Sequence, residues 1–111
     1  MILHEDVEEA KQAWVRECVD ANSDLGLWFI AETIRRLMPG AEESEVRRET
    51  LAALRPLMLG GKLRAADALP NGQFQPWPGT VDEQLAQVEA EWAKLNRPPG
   101  LGEIVWFIGP R

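Results

Sequence analysis

At 111 residues the chain suits one domain with a single core, burying roughly two-thirds of its unfolded surface. Its 45% apolar and 27% charged residues weigh against disorder. The net charge of −6 argues against general affinity for phosphate backbones, which needs clustered Lys and Arg, and suits a partner with a basic surface.

The acids are concentrated at the start. Residues 1–25 hold seven of them, Glu5, Asp6, Glu8, Glu9, Glu17, Asp20 and Asp24, against Lys11 and Arg16. Within this segment Val7, Ala10, Trp14, Cys18 and Ala21 recur on one helical face, which predicts a helix over 4–21. The acid-rich opening "MILHEDVEE" does not read as a signal peptide, and the lone Cys18 offers no disulfide framework. A cytoplasmic protein is the expectation.

After a break at "NSD", with Ser23 or Asp24 as N-cap, a second helix is predicted over 25–38. Its stripe is Leu27, Ile30, Ala31, Ile34, Leu37 and Met38, widened by Trp28 and Phe29, and Pro39-Gly40 ends it. The longest apolar run, 25–31, is far too short to span a bilayer. A third helix over 42–59 carries Val46, Thr50, Leu54, Leu57 and Met58 on one side. Pro56 inside it predicts a kink or a tightened last turn, with Gly60-Gly61 closing the element.

The stretch "GGKLRAADALPNGQFQPW" reads as a hairpin turning at Asn71-Gly72, with a type I′ turn expected. Pro70 and Pro76 cannot donate to a ladder, so its arms are expected at a sheet edge or paired over only a few residues. A fourth helix starts at Thr80, where Thr80 and Glu83 have the spacing of a capping box. Val81, Leu85, Val88, Trp92 and Leu95 form its stripe, and "NRPPG" stops it. The final run "EIVWFIG" predicts a strand over 104–108 paired with one hairpin arm. The expected fold is a single α+β domain: about four helices and a small antiparallel sheet, winged-helix-like, in the order α-α-α-β-β-α-β.

No residue set stands out as catalytic. His4 is the only histidine, and none of Cys18, Ser23 or Ser44 lies in a nucleophile motif. The acid runs "HEDVEE" and "AEESE" are read as solvated faces and helix-dipole partners. Gly60-Gly61 follows a helix rather than opening one, so it is no phosphate cradle, and no metal or cofactor is called for. Trp14, Trp28, Trp92 and Trp106 fall in apolar patterns and are assigned to the core. Trp77, between Pro76 and Pro78, is either a lid over the end of the core or an anchor for a partner.

The segments "ETLAALRPLMLGGKLRAADAL", "GQFQPWPGTVDEQLAQVEAEW" and "RPPGLGEIVWFI" carry a resemblance. Thr50, Leu51, Gly60, Trp77 and Trp92, with Pro99, Gly102, Glu103, Trp106 and Phe107 in a closing P-x-x-G-[DE]-x-x-W-F, resemble a set of small uncharacterised bacterial proteins. These are similar to immunity proteins encoded beside bacterial toxins. The resemblance spans about residues 25–108 and implies a shared fold more than a shared site. It implies no enzymatic activity.

The function expected from these features is a non-catalytic cytoplasmic interaction module. Most concretely it is an immunity-type protein that occludes a toxin through Glu5, Asp6, Glu8, Glu9, Glu17 and Trp77. The alternative is a winged-helix DNA-binding regulator using helix 42–59 and the 62–77 hairpin. There Arg47, Arg48, Arg55, Lys62 and Arg64 would have to outweigh Glu42, Glu43, Glu45 and Glu49.

Overall fold

The structure is a computed structural model that describes residues 24–100 and 103–109. The helix expected over 4–21, with Glu5, Asp6, Glu8, Glu9 and Glu17, lies outside the described residues. In chain order the elements are β1 (Asp24–Gly26), α1 (Leu27–Leu37), α2 (Glu43–Leu59), β2 (Arg64–Ala68), β3 (Phe74–Pro76), α3 (Val81–Leu95) and β4 (Trp106–Ile108). The α+β class agrees with expectation, with three helices and one four-stranded antiparallel sheet among the described residues. The described order, β-α-α-β-β-α-β, differs from the expected one by a strand at residue 24, where a helix start was predicted.

That strand has a non-local cause. Asp24, Leu25 and Gly26 pair with Ile108, Phe107 and Trp106 across the sheet, and Leu27 N–H bonds the Val105 carbonyl at 3.2 Å. Neither Ser23 nor Asp24 is the N-cap of α1. The cap is Gly26, in extended conformation and without a side-chain hydrogen bond. The buried stripe of α1 is otherwise as expected: Leu27, Ile30, Ala31 and Ile34 lie in the core, joined by Thr33.

Helix α2 buries Val46, Thr50, Leu54, Leu57 and Met58. The fully buried Thr50 hydroxyl donates to the Val46 carbonyl at 2.7 Å, which satisfies it inside the core. Helical geometry runs through Pro56 to Leu59. Pro56 lies on the exposed side, so the carbonyl it leaves without a helical donor is on the solvent side. The helix then closes as a Schellman turn: Gly61, at φ +74°, donates to the Met58 carbonyl, and Lys62 donates to Leu57 at 2.8 Å.

The hairpin turn is not type I′. Gly72 has φ +84°, whereas Asn71 is not left-handed. Gly72 N–H bonds the Leu69 carbonyl at 3.0 Å, and Leu69 N–H bonds Gln73 at 2.8 Å. Pro70 therefore sits at the second position of a type I-like turn, which its fixed φ favours, and Gly72 takes the left-handed bulge position after it. The Asn71 side chain accepts Gln73 N–H at 3.0 Å.

The sheet order is β1-β4-β2-β3. The last strand does pair with a hairpin arm, since Arg64, Ala65 and Ala66 of β2 face Ile108, Phe107 and Trp106. Of the two arms only β3 lies at an edge of the sheet, whose other edge is β1; β2 is paired on both sides, by β3 and β4, and the two arms pair over three residues. The last strand is also shorter than expected. Ile104 has φ +69°, and Val105 N–H bonds the Glu103 carbonyl at 2.8 Å, so a tight turn precedes Trp106.

Strand alternation sorts the sheet into two faces. Leu25, Phe107 and Ala65 lie side by side and join the core built with the helices. Gly26, Trp106, Ala66 and Pro76 occupy the opposite face, with Arg64 and Ile108 beside them. Of the tryptophans assigned to the core, Trp92 is 1% exposed, whereas Trp28 and Trp106 are half-buried; Trp14 lies outside the described residues.

Candidate functional site

Trp77 leaves the end of β3 on the same side of the sheet as Ala65 and Asp67. Its backbone N–H extends the ladder to the Ala65 carbonyl at 2.9 Å. Its indole Nε1 donates to Asp67 Oδ1 at 2.9 Å, a diagonal cross-strand contact. The Gln84 amide, one turn into α3, reaches the carbonyls of Trp77, Pro78 and Gly79 at 3.1, 3.3 and 3.1 Å. The ring is half-buried against the core cluster. Trp77 thus does cover the end of the core, and the portion left exposed is a tryptophan whose orientation is set from three sides.

Two open grooves flank the strand that delivers it. One, of about 210 Å³, is lined by Met58, Leu63, Arg64, Pro76, Trp77 and Val81, with Ala65 and Gln84. The other, of about 310 Å³, lies on the opposite sheet face between Arg64, Phe74, Pro76, Ile108 and Gly109, reaching Gly72 and Gln73 near the turn. Arg64 and Pro76 belong to both. Phe74 packs edge-on against Trp106, with ring centroids 6.0 Å apart.

Sequence reasoning selected Trp77, named Arg64 only as a base of the hairpin in the DNA-binding alternative, and missed Asp67 and Gln84. The positions of Gln84 and Arg64 depend on how α3 returns to the hairpin, which no local pattern states.

Among the described residues, Arg35, Arg36, Arg55 and Arg97 are already engaged in ion pairs. Arg35 bonds Glu32 at 2.7 Å and Glu43 at 2.8 Å, and Glu43 also accepts Trp92 Nε1 at 2.9 Å. Arg55 of α2 bonds Asp82 of α3 at 2.8 Å. Arg97 grips Glu103 through both guanidinium nitrogens at 2.6 and 2.8 Å. The Arg97 hydrogen bond, with a second from Gly100 N–H, holds the Glu103 carboxyl down at about 2. Among the described residues, Arg47, Arg48, Lys62, Arg64 and Lys94 have no carboxylate within ion-pair distance.

Arg47 and Arg48 line a third groove, of about 250 Å³, with Ser44, Leu51 and Glu89. His4 and Cys18, like Ser23, lie outside the described residues. Among the described residues no group of three or more His, Cys, Asp or Glu is placed to hold a metal ion, and no helix is long and apolar enough to cross a membrane. No protein-family model matches the chain, and neither a curated protein nor a solved structure matches it.

Proposed function

We propose that this chain is a cytoplasmic, non-catalytic protein-interaction module, most concretely an immunity-type protein that binds and occludes a toxin with a basic surface. The observation that carries the reading is Trp77: a half-exposed indole fixed by Ala65, Asp67 and Gln84 beside an open groove. A preordered tryptophan loses little freedom on binding, which is what interaction hot spots require. The acids of the N-terminal segment, Glu5, Asp6, Glu8, Glu9 and Glu17, supply the attraction, raising the association rate toward a basic partner.

The DNA-binding alternative draws less support from the geometry. Helix α2 packs against α1 on one side and α3 on another, and Arg55 is spent on Asp82. The exposed stripe of α2, Ser44, Arg48, Ala52, Arg55 and Leu59, offers few free bases for the groove that a recognition helix must read.

The test is neutralisation. The chain is co-expressed with the toxin candidate encoded beside it, and growth is scored against Trp77→Ala and a variant with Glu5, Asp6, Glu8, Glu9 and Glu17 changed to Lys. Rescue by the native chain, lost in the charge-reversed variant and weakened at least ~30-fold in affinity by Trp77→Ala, supports the reading. Full rescue by both variants, or none by the native chain, overturns it. Duplex binding at low salt that vanishes in Arg47→Glu/Arg48→Glu would favour the alternative instead.

A further inference from the structure

We propose that the two grooves flanking Arg64 and Pro76 form one docking site for an extended peptide segment of the partner, carrying a single carboxylate between two apolar side chains. This rests on the interaction-module reading and names the part of the partner that sits at Trp77.

The argument begins with charge. Arg64 is exposed, has no carboxylate within ion-pair distance among the described residues, and stands where the two grooves meet. Lys62, two residues earlier, is likewise exposed and unpaired. The hairpin's one acid, Asp67, is already held by the Trp77 indole. In a chain of net charge −6, the hairpin base is therefore a cationic point, and a planar guanidinium there suits a carboxylate.

Apolar surface lies on both sides of that point. Met58, Leu63, Trp77 and Val81 line one groove, and Phe74 and Ile108 line the other. Each groove, of about 210 and 310 Å³, has room for the side chains of a short peptide. A ligand that satisfies both must place apolar groups either side of its charge, which a short peptide does when it passes over Arg64 and Pro76 from one groove to the other.

The edge strand explains why side chains, and not strand addition, would carry recognition. Trp77 N–H and the Gln73 carbonyl point toward β2, so the nitrogen of Pro76 faces away from the sheet. Proline has no hydrogen to offer there, which blunts the edge against an added strand.

The experiment uses the full chain labelled with ¹⁵N and two capped tetrapeptides, acetyl-Leu-Glu-Phe-Leu-amide and its glutamine counterpart. With the glutamate peptide, the Trp77 indole N–H and the Arg64 side-chain N–H signals shift together, with a dissociation constant near ~1 mM. The glutamine peptide binds ~10-fold more weakly, as loss of a charge-assisted hydrogen bond at an exposed site implies. Arg64→Gln abolishes the preference for glutamate, and because Arg64 is exposed, this variant should keep the native thermal midpoint. Equal binding of the two peptides, shifts confined to other residues, or no shift at all overturns the proposal. Neutralisation retained by Arg64→Gln alongside lost peptide preference refutes the docking site while leaving the toxin-occluding reading standing. The converse, a glutamate preference without any neutralisation, refutes only the latter.

Discussion

Replacing Glu43 with alanine tests whether one carboxylate ties the three described helices together. It accepts Arg35 Nη2 from α1 at 2.8 and 2.9 Å and Trp92 Nε1 from α3 at 2.9 Å, while itself opening α2. Trp92 is 1% exposed, so its indole N–H has little access to water once the carboxylate is gone. A buried donor left unsatisfied costs about 1–3 kcal/mol. The Arg35–Glu43 side chains are 26% and 28% exposed, and screening limits that pair to about 0.5–1 kcal/mol. Glu43→Ala should therefore lose about 2–3 kcal/mol and about 10 °C in thermal midpoint. Glu43→Gln keeps an oxygen for the indole and should lose about 1 kcal/mol. Urea unfolding followed by far-ultraviolet circular dichroism measures both. A cycle with Trp92→Phe isolates the indole contact, because removing the donor should cost less once its acceptor is already absent. If the two Glu43 variants are equally stable and the cycle shows no coupling, the reasoning fails.

Three further outcomes follow from local geometry. Thr80→Ala removes the hydroxyl that accepts Glu83 N–H at 3.2 Å and should cost about 1 kcal/mol in chemical unfolding. Gly26→Ala would place a Cβ 2.7 Å from Trp28 Cδ1 and Nε1, so the indole must shift; about 1–3 kcal/mol of destabilisation and a moved Trp28 indole N–H signal are expected. The Glu103 carboxyl, held at about 2 chiefly by the Arg97 hydrogen bond and also by Gly100 N–H, contributes stability that is complete above its ordinary value of 4.5 and is lost as pH falls through about 2. Carboxyl NMR titration should show that low value, and Arg97→Gln should raise it toward the ordinary one.

Much of the fold was legible because burial in helices is periodic. Leu27, Ile30 and Ile34, then Val46, Thr50 and Leu54, then Leu85, Val88 and Trp92 are all buried where their spacing predicts. The capping box at Thr80 was readable because both of its partners are three residues apart. Strand β1 was not. Its three residues have no alternation of their own to speak of, and Leu25 continues the apolar run of the following helix. They are a strand because Phe107, far along the chain, pairs with Leu25. The turn was misread for a related reason: Asn71-Gly72 signals type I′, but Pro70 in front of it fixes the φ that a type I-like turn needs. Of the candidate site, Trp77 was found in advance because two flanking prolines mark it as a loop residue, and Arg64 was noticed only as a base of the hairpin.

The fate of the hairpin decides how the rest of the surface is read. In a DNA-reading wing the hairpin must project past the core and the preceding helix must show one face to solvent. Here the chain returns twice across those elements. Helix α3 lies along α2 and clasps Arg55 with Asp82, while β4 inserts between β1 and β2. Both returns spend surface that a groove-binding module would keep. What they leave at the hairpin base is a small rim: one oriented tryptophan, one arginine with no ion-pair partner among the described residues, and apolar grooves on either side. A rim of that kind is too small and too apolar to follow a phosphate backbone, whose affinity grows with the number of phosphates neutralised. Its size is that of a few side chains, which is why the proposed reading rests on the loop that ends in Trp77 rather than on α2.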